Sequence, residues 1–287
     1  MYEKISDYLT YPKTFENYKW YKPILVFIVA FVVIMILDGL ILLIFNYTMG
    51  FEFVKNVFSG GYELFNSAIG LLFVDSFIIT IIPSLYIASK IVKDRPFSSY
   101  SSSRGGWNFR LYLKALIIPL ILYVSYASIE SVITGSKGTY QLSIPFLIVL
   151  FICFPLQSIA EEYAFRGFIM QTLGSWFNIP VLALILQAVI FALGHDYNSI
   201  GLVEMVVAGI ILGFFAWKTN GIEVSSAMHT ASNFSVGLSV MLGLRTSTST
   251  PQLYSVLATI VFEIVLLIIM YYVGKKTNWF GEIPENY

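Results

Sequence analysis

Charge is the first thing this chain lacks. Only 12% of its 287 residues are Asp, Glu, Lys or Arg, against roughly 25% in an ordinary soluble domain. Hydrophobic residues make up 57% and the mean hydropathy is +0.77, which excludes a conventional soluble globule and points to an integral membrane protein. Runs of Lys and Arg are also missing. Seventeen basic residues balance seventeen acidic ones, so the electrostatic footprint of a nucleic-acid binder is absent. The single cysteine, Cys153, excludes an internal disulfide and is expected to pack as a small hydrophobe. Histidine is scarcer than any charged type: His195 and His229 are the only two. With no internal repeat and no sign of a soluble second domain, the chain reads as one transmembrane domain over 1–287.

What is abundant is apolar sequence long enough to cross a hydrocarbon core, which needs about 20 helical residues. Eight such stretches occur, at 24–46, 67–90, 111–133, 144–172, 180–198, 200–218, 222–243 and 252–274, and predict an all-α polytopic bundle of about eight transmembrane helices. The first begins too late and runs too long for a cleaved signal peptide. The distribution of basic residues sets the orientation. The N-terminal tail holds Lys4, Lys13, Lys19 and Lys22, and the connection after span two holds Lys90, Lys93, Arg95, Arg104 and Arg110. Together with Lys114, Arg166, Lys218, Lys275 and Lys276 they put fourteen on one side, against Lys55, Lys137 and Arg245 on the other. Both termini are therefore expected in the cytoplasm. The abundance of Ile, Phe, Tyr and Lys leans toward a bacterial plasma membrane. The Ser-rich connection from Ser98 to Ser103, followed by Gly105-Gly106, reads as a flexible loop.

Against this background a few polar residues stand out, because a charged side chain at bilayer depth costs at least ~2.5 kcal/mol and marks a functional site by default. Glu161-Glu162 is followed by Arg166. Glu162 and Arg166 are four apart and share a helical face, which predicts a neutralising ion pair. Glu161 lies about 140° from Arg166 around the axis and is the freer carboxylate, suited to general-base work. Bracing a helix end is the alternative for the pair. Asn178-Ile179-Pro180 marks a turn, and Glu161 and His195 are equidistant from it, so an antiparallel hairpin brings them to one level. Gly194 beside His195 allows close backbone approach. His229 and Asn233 share a face of span seven with Ser225 and Ser226 a turn earlier; a histidine and an amide so placed can donate to a developing oxyanion, or serve as interhelical glue. Asp38, Asp75, Glu204 and Glu263 are further intramembrane carboxylates, open to ion coupling or to pairing across the bundle.

The three elements, Glu161-Glu162 to Arg166, Phe191 to His195 and His229 to Asn233, together resemble the CAAX protease and bacteriocin-processing (CPBP) family of intramembrane proteases. The family-like core is about 144–243. The resemblance implies peptide-bond hydrolysis in or beside the membrane, with Glu161 activating water, His195 holding it, His229 and Asn233 stabilising the oxyanion, and Glu162 and Arg166 supporting. The partners implied are membrane lipid and a peptide or protein tail: a prenylated Cys-a-a-X tail in eukaryotic relatives, a bacteriocin or signalling peptide in bacterial ones. The family has carried the label metalloprotease, and Zn2+ held by Glu161, His195 and His229 is the cofactor alternative. Without an HExxH pair, and with Glu161 consumed as a ligand in that arrangement, metal-independent glutamate catalysis is the preferred expectation. A scaffold or bacteriocin immunity protein that binds without cleaving is the rival function.

Overall fold

A computed structural model describes residues 7–59, 66–135, 137–246 and 250–280; Lys4 of the charge count lies outside them. In chain order the helices are α1 (Lys22–Met49), α2 (Phe51–Ser59), α3 (Ala68–Val92), α4 (Phe109–Thr134), α5 (Ile144–Phe177), α6 (Pro180–Leu193), α7 (Ser199–Lys218), α8 (Glu223–Met241) and α9 (Leu253–Lys276). Among the described residues there is no strand, only an isolated bridge between Ser102 and Gly221. The chain is an all-α polytopic membrane protein.

Six helices rather than eight are long and apolar enough to cross a membrane: α1, α3, α4, α5, α7 and α9. The other two expected spans are helices of a different kind. The first, α6, has 14 residues and stops at Leu193 instead of 198. The second, α8, has 19 residues but carries Glu223, His229, Asn233 and five serines; it is buried along most of its length, so its polarity faces protein. The peripheral helices do the reverse. α1 leaves Phe27, Ile28, Phe31, Met35 and Ile36 exposed, as a lipid-facing rod requires.

Three local features place the functional residues. Pro155 offers no backbone donor and its ring crowds the preceding turn; α5 absorbs this in a π-helical stretch over Val149–Cys153, then widens again over Tyr163–Met170 immediately after the glutamate pair. Such bulges recur at functional sites. The turn read at Asn178-Ile179-Pro180 is present: Asn178 closes α5 in the left-handed region at φ 56° and Pro180 opens α6. Small residues bring α6 and α7 together. A Cβ on Gly209 would sit 2.9 Å from the Ala188 Cα, so the two backbones meet there as small-residue helix pairs do in membranes.

The Ser-rich connection is not a flexible loop. Ser98–Ser101 forms a helical turn with Ser99, Tyr100 and Ser101 buried, and a Cβ on Gly167 would lie 2.6 Å from the Tyr100 carbonyl oxygen. Tyr8 donates to that same oxygen at 2.9 Å. Arg95 stacks over the Tyr100 ring at 3.9 Å and bonds Gln171 and the Gly167 carbonyl. Burial pushes the Asp94 carboxyl above its ordinary range, while the neighbouring Arg95 guanidinium pulls it back. The backbone beyond Tyr100 reaches the α7–α8 link, with Ile222 N donating to Ser101 O at 2.8 Å and Ser103 N to Asn220 O at 3.0 Å. A segment rich in serine thus ties the widened turn of α5 to the start of α8.

The close approach at Gly209 gives a direct test. Gly209→Leu forces α6 and α7 apart and is expected to lower stability by about 1–3 kcal/mol, whereas Gly39→Ala in α1, where an added Cβ meets nothing within 4 Å, stays within about 1 kcal/mol of the parent. Thermal unfolding of both variants in one detergent checks the contrast.

Candidate active site

Adjacent residues on a helix point about 100° apart, and Glu161 and Glu162 use that difference. Glu162 is fully buried and turns toward α8. Its Oε1 accepts from Arg166 Nη1 at 2.8 Å, the expected ion pair, and lies 3.0 Å from His229 Nδ1. Arg166 is also fully buried; it donates to the Gly209 carbonyl at 3.3 Å and lies over the Phe191 ring at 4.5 Å. Gln187 donates to the same carbonyl at 2.8 Å. The Glu162–Arg166 pair is therefore the junction of α5, α6, α7 and α8. Buried this way, Arg166 adds nothing to the loop charge that orients the chain.

Glu161 turns the other way, into a cavity of about 860 Å³ whose wall includes Glu161, His195, His229 and Asn233. All four residues expected to carry chemistry face one space. His229 bridges the two glutamates: with Nδ1 at Glu162, its Nε2 stands 3.8 Å from Glu161 Oε2, too far for a direct hydrogen bond and at a separation where a water can intervene. The Phe191 ring packs edge-on against both imidazoles, with centroids 4.7 Å from His195 and 5.9 Å from His229.

His195 is not on a helix. It follows the Gly194 cap of α6, in the link to α7, and its Nδ1 lies 2.9 Å from the Phe191 carbonyl. A carbonyl can only accept, so Nδ1 carries the proton and Nε2 is left with a lone pair. The FxxxH spacing has its physical meaning there. The carbonyl at position 191 fixes the tautomer of a histidine four residues on, and the phenylalanine ring there packs against both imidazoles.

Gln157 was not singled out from the sequence. Its Nε2 donates to Glu161 Oε1 at 2.7 Å and its Oε1 accepts from Asn233 Nδ2 at 3.1 Å, so it joins the carboxylate of α5 to the amide of α8. The available signal was position: an amide one turn before Glu161 on an otherwise apolar face. Asn233 also donates to Ser158 Oγ at 3.2 Å, so both of its N–H groups are engaged with α5. The remaining intramembrane carboxylates divide. Asp38 accepts from Thr80 at 3.0 Å, whereas Asp75, Glu204 and Glu263 line the cavity.

The zinc alternative requires Glu161, His195 and His229 within one coordination sphere. A lone pair on His195 Nε2 suits a ligand, yet among the described residues no three His, Cys, Asp or Glu side chains converge closely enough to hold an ion. The donor set does not fit zinc as arranged.

Residues 143–235, about a third of the chain and the stretch holding all seven motif residues, match the family described as Type II CAAX prenyl endopeptidase Rce1-like. The resemblance carried by the three motifs is met over that segment. The chain is also similar to "Uncharacterized protein YyaK" of Bacillus subtilis (strain 168), 27% identical over 164 residues that make up 53% of this chain and 55% of that protein. It spans about half the length of that relative. No solved structure matches.

Truncating one member of a buried ion pair strands the other charge and costs about 3–5 kcal/mol. Arg166→Met is accordingly expected to destabilise the protein by that amount, with a large part recovered in Arg166→Met combined with Glu162→Gln. Chemical denaturation of the single and double variants in detergent measures the recovery; additive losses would show that the pair is not coupled.

Proposed function

We propose that the chain is an intramembrane endopeptidase that hydrolyses a peptide bond in a membrane-associated peptide or protein tail, with Glu161 as general base and acid. The observation that carries the reading is the convergence of Glu161, His195, His229 and Asn233 on one cavity within a segment that matches a family of prenyl endopeptidases. Water accepted by the His195 Nε2 lone pair loses a proton to Glu161 as its oxygen attacks the scissile carbonyl carbon. The carbonyl oxygen becomes an oxyanion; because His229 already gives Nδ1–H to the Glu162 carboxylate, it serves as the imidazolium, donating Nε2–H to the oxyanion beside an amide N–H of Asn233. Asn233 must release Gln157 or Ser158 to do so. Collapse of the tetrahedral intermediate breaks the C–N bond, and Glu161 returns its proton to the leaving amine.

Glu162 and Arg166 act behind this set. Arg166 neutralises Glu162, and Glu162 holds Nδ1 of His229 so that Nε2 faces the cavity. No step calls on a metal. The excess of Lys and Arg on one side supports a reading in which both termini face the cytoplasm.

Glu161→Gln keeps the shape of the side chain and removes its basicity, so cleavage should fall by about 10²–10⁴-fold, the usual worth of general acid–base catalysis. Peptide profiling of membranes and medium should then show one precursor accumulating uncut. An undiminished biological effect in a well-expressed Glu161→Gln protein would instead mark a binding scaffold or immunity protein. Activity is further expected to survive chelation of the purified enzyme; stoichiometric zinc by elemental analysis, with turnover lost on its removal, would overturn metal-independent catalysis.

A further inference from the structure

Among the described residues six carboxylates line the cavity (Asp75, Glu130, Glu161, Asp196, Glu204 and Glu263), with Arg245 the only arginine and no lysine. Arg245 is partly committed, since its guanidinium pairs with Glu130 at 3.4 Å. Hydrolysis uses Glu161 alone. The surplus of negative groups is therefore left without a role.

Two of these groups are in unusual positions. Glu263 on α9 and Asp75 on α3 are 6% and 3% exposed, and each has a carboxylate oxygen, Glu263 Oε2 and Asp75 Oδ2, with no hydrogen-bond partner among the described residues. A carboxyl buried without a partner holds its proton, and a cation arriving from outside lets it ionise and completes the pair. Glu204 of α7 lines the same cavity, and α7 packs against α9, which carries Glu263. Around them Tyr126 stacks on Phe262 with centroids 4.4 Å apart, Tyr123 meets the same ring at 5.0 Å, and the Tyr126 hydroxyl shares a hydrogen bond with Thr259 at 3.1 Å. An apolar, aromatic wall that ends on a carboxylate pair is complementary to a side chain with an alkyl stem and a charged head. Both Lys and Arg have that form.

We propose that Glu263, with Glu204 beside it, forms a specificity subsite for a basic residue of the peptide substrate. This rests on the reading of the cavity as a peptidase site and assigns the kind of peptide it takes. The aliphatic stem lies along Tyr123 and Tyr126, and the ammonium or guanidinium group meets the carboxylates. A coordinated metal ion is a poorer occupant, because no three ligating side chains converge among the described residues.

The test uses the full chain in proteoliposomes, in the Glu161→Gln background so that peptides are retained. Fluorescent apolar 12-residue peptides differ only in one central residue: Lys, norleucine or Glu. The lysine peptide is expected to bind at least ~10-fold tighter than the norleucine peptide, or about 1.4 kcal/mol, with the glutamate peptide weakest. That ratio should fall to within about twofold in Glu263→Gln and in Glu204→Gln. Because the ratio is taken within each variant, a general loss of fold lowers both peptides together, and either variant alone decides the matter. Equal binding of the three peptides, or a lysine preference that persists in both variants, overturns the subsite. Failure of the peptidase reading looks different: there the lysine preference holds while Glu161→Gln leaves the natural peptide profile unchanged.

Discussion

The structure depends on one fully buried charge pair. Glu162 and Arg166 meet at 2.8 Å with neither side chain exposed, and every other element of the site is measured from that contact. Arg166 reaches the Gly209 carbonyl of α7 and the Phe191 face of α6, while Glu162 reaches His229 of α8. Removing either charge leaves the other stranded in a low-dielectric interior, so the pair is better understood as a constraint on geometry than as a store of stability. It fixes which way His229 turns. Had Glu162 been free, both ring nitrogens of His229 would be open to rotate toward Glu161, and the separation of duties between the two glutamates would be lost.

That separation was readable from the sequence because helical angle alone distinguishes the two positions. Four residues place Glu162 and Arg166 on one face, five place Glu161 elsewhere, and the structure puts the first carboxylate into protein and the second into the cavity. The turn at Asn178 to Pro180 was equally legible, since proline and a left-handed asparagine leave little choice. Boundaries fixed by apolar length were legible too: the expected spans agree with the helices to within three residues, except at the ends of α5 and α6. The misread parts share a cause. A helix such as α8 that is buried on all sides follows packing and not lipid, and α6 ends where a cap and a histidine link begin. The polar content of α8 was visible in its sequence as a lower hydropathy than that of the six long apolar helices, whereas the early end of α6 leaves no such trace. The same applies to the Ser98–Ser103 segment, whose composition is that of a loop and whose burial is set by Gly167, Tyr8 and the α7–α8 link. Gln157 was missed because an amide at one position has no pattern of its own; only its partners, Glu161 and Asn233, give it meaning.

The shortness of α6 shapes the cavity wall. Fourteen residues make a helix of about 21 Å, short of the ~30 Å of a hydrocarbon core. Gly194 to Asn198 therefore continue as irregular backbone where a full span would still be helical. Such backbone is tolerated at membrane depth only when it is shielded by protein or lines a wet cavity, and Gly194, His195, Asp196 and Tyr197 all line the cavity that holds Glu161. A longer helix would have satisfied its own backbone and sealed that side. On the proposed reading, hydrolysis needs water beside an apolar substrate, and an early helix end leaves His195 on the cavity wall to hold it. On the proposed peptidase reading, the buried pair behind and the broken helix in front answer opposite halves of one problem: the first keeps charge fixed away from lipid, and the second leaves the cavity open beside Glu161.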